Sequence, residues 1–182
     1  PVITIGRSGK MQNVLVSEAT LKEKNIKLIA TDRGGDVTYH GPGQLVVYPI
    51  LDLKLHGLSV PGYVWNLEEV IIRVLAHYGI TAGRVEKLRG VFVDGGKIAA
   101  LGVHLSRWIS RHGLALNVNT DLDPFRLINP CGITDRPVIS MAKILDRTLA
   151  MEEIESLTLR AFAEVFHFSL GEQPLEVLEP YR

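Results

Sequence analysis

The stretch from Val91 to Leu105, which reads VFVDGGKIAALGVHL, gives the most direct information on the fold. Two apolar runs, Val91–Val93 and Ile98–Leu105, flank the turn sequence Asp94-Gly95-Gly96. Because Asp-Gly and Gly-Gly pairs readily supply the positive φ angles of a tight hairpin, the stretch predicts two consecutive antiparallel strands. Neighbouring strands joined in this way argue against a doubly wound parallel sheet.

The rest of the chain contains further strand and helix patterns. Short apolar runs bounded by Gly, Asp or Pro predict strands at Val2–Ile5, Ile26–Thr31, Gln44–Leu51 and Leu114–Val118. A helix capped by Ser59 is predicted to end at Gly79, and a second helix is predicted from Glu152 to Phe166. The segments 32–43 and 120–137, rich in glycine and proline, are predicted to lack regular structure. These patterns predict an α+β fold with a mixed, largely antiparallel sheet and flanking helices.

We expect one domain over residues 1–182, because the sequence has no internal repeat, linker or low-complexity tract. The chain opens at Pro1 inside a predicted strand and without an initiator methionine, so we expect a native segment to precede it.

Composition excludes several functional classes. Lys+Arg and Asp+Glu both number 20, so the net charge gives no support to nucleic-acid binding. No apolar run approaches the roughly 20 residues that span a bilayer, and no signal peptide is visible. A single cysteine can form neither an internal disulfide nor a cysteine-based zinc site. We therefore expect a cytoplasmic protein without a bound metal.

The segment from Arg33 to Gly43 is the first candidate site. Its glycines allow the backbone to approach a ligand closely, and it also carries Arg33, Tyr39 and His40. The alternative is a tight surface connection between two strands. Such a connection does not need an arginine, a tyrosine and a histidine together, and we therefore favour a binding loop.

Lys97 is the second candidate, since it begins a strand of small and apolar residues. Regular alternation would place Lys97, Ala99, Leu101 and Val103 on one face. A lysine in this position often extends its amine to water from the end of the strand. The alternative is a desolvated amine with an altered proton affinity, which is a common catalytic device.

Cys131 is the third candidate, within the sequence Asn129-Pro130-Cys131-Gly132. A lone cysteine is commonly a buried packing residue. This one lies in a segment constrained by proline and glycine, where functional side chains are often displayed. A nucleophilic thiol also needs a cationic neighbour, and the candidates are Lys97, His40, Arg136 and the other histidines.

Four segments together resemble the lipoyl(octanoyl) transferase family. They are RGGDVTYHGPGQ at 33–44, GKIAALGV at 96–103, GLALNV at 113–118 and NPCG at 129–132. The resemblance runs in order over nearly the whole chain, and the cysteine motif distinguishes this family from lipoate and biotin ligases. It implies a catalytic domain of the biotin/lipoate–protein ligase type.

The resemblance also implies roles for individual residues. Cys131 matches the position that carries the acyl thioester, and Lys97 matches the lysine that lowers the pKa of this cysteine. Three segments match substrate-binding positions, namely Arg33, Gly34, Gly35, Asp36, Val37, Thr38, Tyr39 and His40, then Ala100, Leu101 and Gly102, then Gly113, Leu114 and Ala115.

The implied reaction moves an octanoyl group from acyl carrier protein to a lysine of a lipoyl domain, in 2-oxoacid dehydrogenases and in the glycine cleavage H protein. No cofactor is expected, because the donor brings its own phosphopantetheine thioester. Carrier proteins are typically acidic, so Arg107, Arg111 and His112 are candidates for a basic docking patch. The alternatives are an ATP-dependent lipoate–protein ligase of the same fold and a non-catalytic acyl-binding module.

Overall fold

The computed structural model describes residues 1–130, 136–169 and 171. Strands β1 (Val2–Ile5), β2 (Lys27–Ala30) and β3 (Val37–His40) form a three-stranded sheet. Strands β4 (Gln44–Val47), β5 (Val91–Val93), β6 (Gly96–Ser106) and β7 (Ile109–Asn117) form a four-stranded sheet. The helices are α1 (Glu18–Glu23), α2 (Val60–His77), α3 (Met141–Leu145) and α4 (Met151–Phe166), with 3₁₀ turns at Met11–Asn13 and Asp123–Leu127.

The three-stranded sheet is mixed and has the order β2-β1-β3. Strand β1 pairs in parallel with β2 and antiparallel with β3, where Ile3 lies opposite Tyr39. The side chains of Ile3, Val37 and Tyr39 are buried together with Leu21 of α1 and with Phe125. This smaller core fixes one end of the glycine-rich segment.

The four-stranded sheet is antiparallel and has the order β4-β7-β6-β5. Strands β5 and β6 are joined by Asp94 and Gly95, whose φ angles are 47° and 80°. Two positive φ angles in a two-residue connection match the right-handed twist of the strands, which explains the Asp-Gly sequence. The hairpin predicted at this point is confirmed.

The larger core lies between the four-stranded sheet and the helices α2 and α4. Helix α2 begins after Ser59, whose hydroxyl accepts a hydrogen bond of 3.1 Å from the Gly62 N–H. Its buried face meets the sheet residues Leu114 and Leu116 and Ile154 of α4. Burial of one such aliphatic side chain contributes about 1.5–3 kcal/mol to folding. Within the described residues, no helix is both long and apolar enough to cross a membrane.

Most of the predicted elements are present, with ends shifted by a few residues. The prediction for the segment 32–43 was wrong, since Val37–His40 forms β3. Its alternating side chains bury Val37 and Tyr39, and its backbone pairs with β1, so pairing outweighs the neighbouring glycines. The loop predicted over 120–137 contains a 3₁₀ turn at Asp123–Leu127, and the short helices α1 and α3 were not predicted.

Candidate functional site

Small side chains line one face of the four-stranded sheet, on the side away from the larger core. Ala100 lies opposite Ala115, and Gly102 lies opposite Gly113, in the register of β6 and β7. These four residues form the floor of a narrow cavity of about 30 Å³. Its walls include Thr38, His40 and Tyr48. A floor without bulky side chains leaves room for a ligand to approach the backbone of the sheet.

The glycine-rich segment packs directly against the edge of β6. The Gly34 N–H donates a hydrogen bond of 3.0 Å to the Val103 carbonyl. A Cβ atom at position 102 would lie only 2.7 Å from the Gly34 carbonyl oxygen, so the close approach requires glycine there. The floor and the glycine-rich segment are therefore built as one unit.

Arg33 holds this segment to the three-stranded sheet. Its guanidinium donates hydrogen bonds to the Thr4 carbonyl at 2.7 Å and to the Thr4 hydroxyl at 2.9 and 3.1 Å. It also donates to the carbonyl oxygens of Asp36 at 2.7 Å and Gly34 at 3.0 Å. The side chain is 9% exposed and contributes to the wall of the narrow cavity. Arg33 thus has a structural role at a position predicted for substrate binding.

Alternation along β3 divides the four motif residues 37–40 between the core and the cavity. Thr38 and His40 line the narrow cavity, whereas Val37 and Tyr39 are buried in the smaller core. The ring of Tyr39 packs edge-on against Phe125 with 5.4 Å between centroids. The sequence predicted substrate contacts for all four residues, and the structure brings only two of these side chains to the cavity.

His40 belongs to a chain of side-chain hydrogen bonds. Its Nδ1 atom lies 2.7 Å from the Gln44 side-chain oxygen, and the Gln44 amide donates to Asn117 at 2.9 Å. Burial lowers the pKa of His40, and the nearby Arg33 charge lowers it further, while the contact with Gln44 acts in the opposite direction. The imidazole is therefore held in its neutral form at neutral pH.

The position of Lys97 depends on an irregularity in β6. Val91 pairs with Ala99 and Phe92 pairs with Lys97, so Ile98 is an extra residue with no partner on β5. This β-bulge breaks the regular alternation that the sequence predicts from Lys97 to Ala99. Ile98 and Ala99 are both buried in the larger core. Lys97 lines a second, inner cavity of about 20 Å³.

The inner cavity lies beside the narrow cavity and is lined by Lys97 and by the segment that precedes Cys131. Thr38, Ala100 and Ala115 line both cavities. Pro130, the residue before Cys131 in the sequence, lines the inner cavity together with Lys97. Cys131 lies outside the described residues, so its predicted role stays a prediction.

The backbone of Lys97 is held by hydrogen bonds, and its side chain packs against Gly90. Its N–H donates to the Pro137 carbonyl at 2.8 Å, and its carbonyl accepts from the Ile139 N–H at 3.0 Å. The side chain is 9% exposed, and its Nζ lies 5.8 Å from the centroid of the Phe92 ring. Lys97 is therefore a largely buried residue that also borders an open cleft.

Glu68 supports this arrangement and was not identified from the sequence. It lies on α2 and is 2% exposed. Its carboxylate accepts a hydrogen bond of 3.0 Å from the Gly90 N–H and pairs with Arg84 at 3.1 Å. A glutamate between Leu67 and Ile71, on the apolar face of α2, is the sequence signal that could have revealed it.

An open cleft of about 510 Å³ is also lined in part by Lys97. Its walls include Leu88, Leu101 and Val103, and its rim carries Lys87 and Arg89. The narrow cavity and this cleft share Leu101 and Gly102. The narrow cavity and the open cleft therefore both border β6 at Leu101 and Gly102.

The proposed basic patch is only partly basic. Asp32 pairs with Arg111 at 2.9 Å and with His112 at 2.6 Å, and His104 lies 3.6 Å away. The hydrogen bond with His112, aided by the charge of Arg111, holds the pKa of Asp32 below its usual value. Arg107 lies in the turn between β6 and β7. Asp32 thus offsets much of the positive charge expected there.

The remaining predicted residues have mixed positions. Leu114 is buried in the larger core, and Leu101 packs against it. Gly34, Gly35 and Asp36 line the open cleft. The Asp36 carboxylate accepts hydrogen bonds from the Lys10 N–H and the Asn13 amide. These bonds hold the segment that follows β1 in place.

Comparisons with known proteins agree with this architecture. Residues 1–163 match the family model of the lipoyl protein ligase A/B catalytic domain. A relative from Solibacter usitatus, named octanoyltransferase, is 52% identical over 93% of this chain and 76% of its own length. Another octanoyltransferase, from Koribacter versatilis, is 50% identical over 91% of this chain and 68% of its own length.

Among solved structures, a lipoate-protein ligase A bound with ATP superimposes with a TM-score of 0.75 and 20% identity, covering 94% of this chain and 71% of that one. This likeness confirms the predicted α+β fold of the ligase type. The family match and the two sequence relatives show that the chain belongs to the family of lipoyl protein ligase A/B catalytic domains.

Proposed function

We propose that this protein transfers an octanoyl group from a carrier-protein thioester to a lysine of a lipoyl domain. The observation that carries the proposal is the buried Lys97 in an inner cavity that shares Ala100 and Ala115 with the alanine and glycine floor of the narrow cavity. The names of the sequence relatives support octanoyl transfer. The likeness to the ATP-bound ligase concerns the fold alone, so the ligase alternative has less support.

The proposed reaction has two half-reactions with Cys131 as the nucleophile. In the first, the Cys131 thiolate attacks the thioester carbon, a new C–S bond forms, and the donor thiolate leaves. In the second, the lysine amine attacks the same carbon, an amide bond forms, the Cys131 thiolate leaves, and the nitrogen loses a proton. Thioester exchange is nearly isoenergetic and amide formation is downhill, so neither ATP nor a cofactor is required.

We assign Lys97 to the acid–base chemistry of Cys131. Pro130, the neighbour of Cys131 in the chain, and Lys97 line the same inner cavity. An ammonium group in a partly desolvated site stabilises a thiolate, because Coulomb attraction is stronger there than in water. The backbone N–H groups of the glycine-rich segment are candidate donors to the tetrahedral oxyanion.

The narrow cavity and the open cleft have different roles in this proposal. The octanoyl chain lies over Ala100, Gly102, Gly113 and Ala115, where it displaces the side chain of Tyr48, which is 57% exposed. Burial of six or seven methylenes would contribute about 5 kcal/mol at ~0.8 kcal/mol each. The open cleft, with Lys87 and Arg89 at its rim, admits the arm of the carrier protein.

Acyl carrier protein as donor and lipoyl domains as acceptors are part of the same proposal. A protein with one cysteine that must stay reduced is suited to the cytoplasm.

Intact-protein mass spectrometry after incubation with octanoyl-carrier protein tests the function. We expect a mass increase of one octanoyl group, which neutral hydroxylamine removes and Cys131→Ala abolishes. Transfer to a lipoyl domain without any trapped acyl-enzyme would contradict the two-step mechanism. A burst of pyrophosphate with ATP and lipoate would identify a ligase, and octanoate binding without transfer would identify a binding module.

A further inference from the structure

Two amide side chains connect His40 to fixed backbone carbonyl groups. The Asn117 amide nitrogen donates to the Ile139 carbonyl at 3.1 Å. The Gln44 amide nitrogen donates to the Tyr39 carbonyl at 3.2 Å and to the Asn117 side-chain oxygen at 2.9 Å. The Gln44 oxygen lies 2.7 Å from Nδ1 of His40.

The two carbonyl groups determine the orientation of both amides. A backbone carbonyl can only accept a hydrogen bond, so Asn117 must direct its NH₂ group to Ile139 and its oxygen to Gln44. Gln44 must then direct its NH₂ group to Asn117 and Tyr39, and its oxygen to His40. An amide oxygen can only accept, and therefore Nδ1 of His40 must carry a proton.

The other ring nitrogen, Nε2, is then the hydrogen-bond acceptor of the neutral ring. Among the residues that the structure describes, none is hydrogen-bonded to Nε2. His40 lines the narrow cavity and shares it with Thr38, Ala100 and Ala115, which also line the inner cavity of Lys97. Its lowered pKa favours the neutral ring, in which Nε2 has a lone pair.

We propose that Gln44 and Asn117 are positioning residues that lock His40 in the Nδ1-protonated tautomer, so that Nε2 accepts a proton from the incoming lysine amine. This assignment rests on the proposed octanoyl transfer for its substrate. As the amide bond forms and the Cys131 C–S bond breaks, the proton of the amine moves to Nε2. His40 then carries the charge until the proton is released to solvent.

The tautomer can be measured directly by ¹⁵N-edited NMR of the histidine side chains at a pH where His40 is neutral, with His40→Gln identifying its signals among the six histidines. We expect a protonated Nδ1 and an unprotonated, pyridine-type Nε2 in the wild type. A protonated Nε2 would overturn the proposal.

Variants test whether the amides impose this state. Gln44→Leu removes the acceptor at Nδ1, and we expect His40 to populate the Nε2-protonated form as well. Gln44→Glu keeps an acceptor at Nδ1 and should retain the tautomer. Asn119→Leu is the matched control, because the side chain of Asn119 bonds only to the backbone of Leu149 in the described structure. An unchanged tautomer in Gln44→Leu would contradict the lock.

Single-turnover kinetics separate this proposal from the proposed function. In Gln44→Leu we expect acyl-enzyme formation to persist, while transfer to the lysine slows by about 100-fold, the lower range for loss of a general base. Normal transfer despite the altered tautomer would disprove the role of His40 and leave octanoyl transfer intact. Failure of the wild type to form an acyl-enzyme would instead disprove the function, with the tautomer still measured by NMR.

Discussion

The side chain of Lys97 packs closely against the backbone of Gly90 across the β5–β6 hairpin. A Cβ atom at position 90 would lie 2.7 Å from Cε of Lys97 and 2.5 Å from the Ala99 carbonyl oxygen. Gly90 also has a φ of 124°, which L-residues rarely adopt, and its N–H is bonded to the buried Glu68. The path of the Lys97 side chain therefore depends on the absence of a side chain at residue 90.

The first prediction concerns this contact. Gly90→Ala should lower the free energy of unfolding by about 1–3 kcal/mol through the backbone strain and should displace the Lys97 amine. We expect a loss of transfer activity larger than the loss of folded protein, measured by single-turnover assays and thermal unfolding. Gly83→Ala is the control, since a Cβ there meets nothing within 4 Å. Full activity of Gly90→Ala would show that the fit is unimportant.

The second prediction separates the charge of Lys97 from its proton. Lys97→Arg keeps a cation but cannot readily give up a proton, whereas Lys97→Ala removes both. The pH profile of Cys131 alkylation should stay close to wild type in the arginine variant and move to higher pH in the alanine variant. Transfer to the lysine should persist in part in the arginine variant, whose cation still stabilises the Cys131 thiolate, and should be lost in the alanine variant. Identical alkylation profiles in all three proteins would exclude Lys97 as the partner of Cys131.

The third prediction tests whether the acyl chain binds in the narrow cavity. Ala100→Leu should fill the floor of the narrow cavity and reduce the use of octanoyl donors by about tenfold or more, while short acyl donors continue to react. Competition between donors of different chain length provides the measurement. Ala76→Leu, on the exposed side of α2, is the size-matched control. An unchanged chain-length preference would instead place the acyl chain in the open cleft.

The fourth prediction tests the structural role of Arg33. A lysine side chain at this position could not reproduce the hydrogen bonds that the guanidinium donates to Thr4, Gly34 and Asp36. We expect Arg33→Lys to lower the free energy of unfolding by about 2–4 kcal/mol, from several lost bonds of ~1 kcal/mol each. Arg7→Lys, at an exposed position, should change it little. Equal stability of the two variants in chemical denaturation would contradict this role.

The sequence predicted the hairpin and helix α2 well, because Asp94-Gly95 and Ser59 each act locally on the backbone. It failed for β3, since the strand at Val37–His40 forms through pairing with the distant β1. Local patterns do not report such long-range pairing.

In the candidate site, too, residues in local motifs were predicted and residues that act through long-range contacts were not. Thr38, His40, Lys97 and Ala100 were found from motifs, and the structure brings all four to two cavities that share lining residues. The supporting residues were not found, because the contact of Glu68 with Gly90 and that of Gln44 with Asn117 join positions far apart in the chain. The bulge at Ile98 likewise depends on the register with β5 and has no local signature.

The last prediction follows from the lowered pKa of His40. Burial, and secondarily the Arg33 charge, disfavour the protonated ring in the folded protein, while an unfolded histidine has a pKa of about 6.5. Between the folded-state pKa and pH ~6.5 the unfolded chain binds more protons at His40 than the folded protein does. The contribution of neutral His40 to stability is therefore complete above pH ~6.5 and is lost as the pH falls through the folded-state pKa.

In His40→Gln, which cannot titrate, the decrease in melting temperature from pH 7.5 to pH 5.5 should be smaller than in the wild type. His77→Gln removes an exposed histidine and controls for the loss of any titrating imidazole. The carboxylates with lowered pKa, Asp32 and Glu69, lose their contribution only at more acidic pH, which keeps their effect outside this window. An identical pH dependence in His40→Gln and wild type would mean that His40 titrates freely in the folded state.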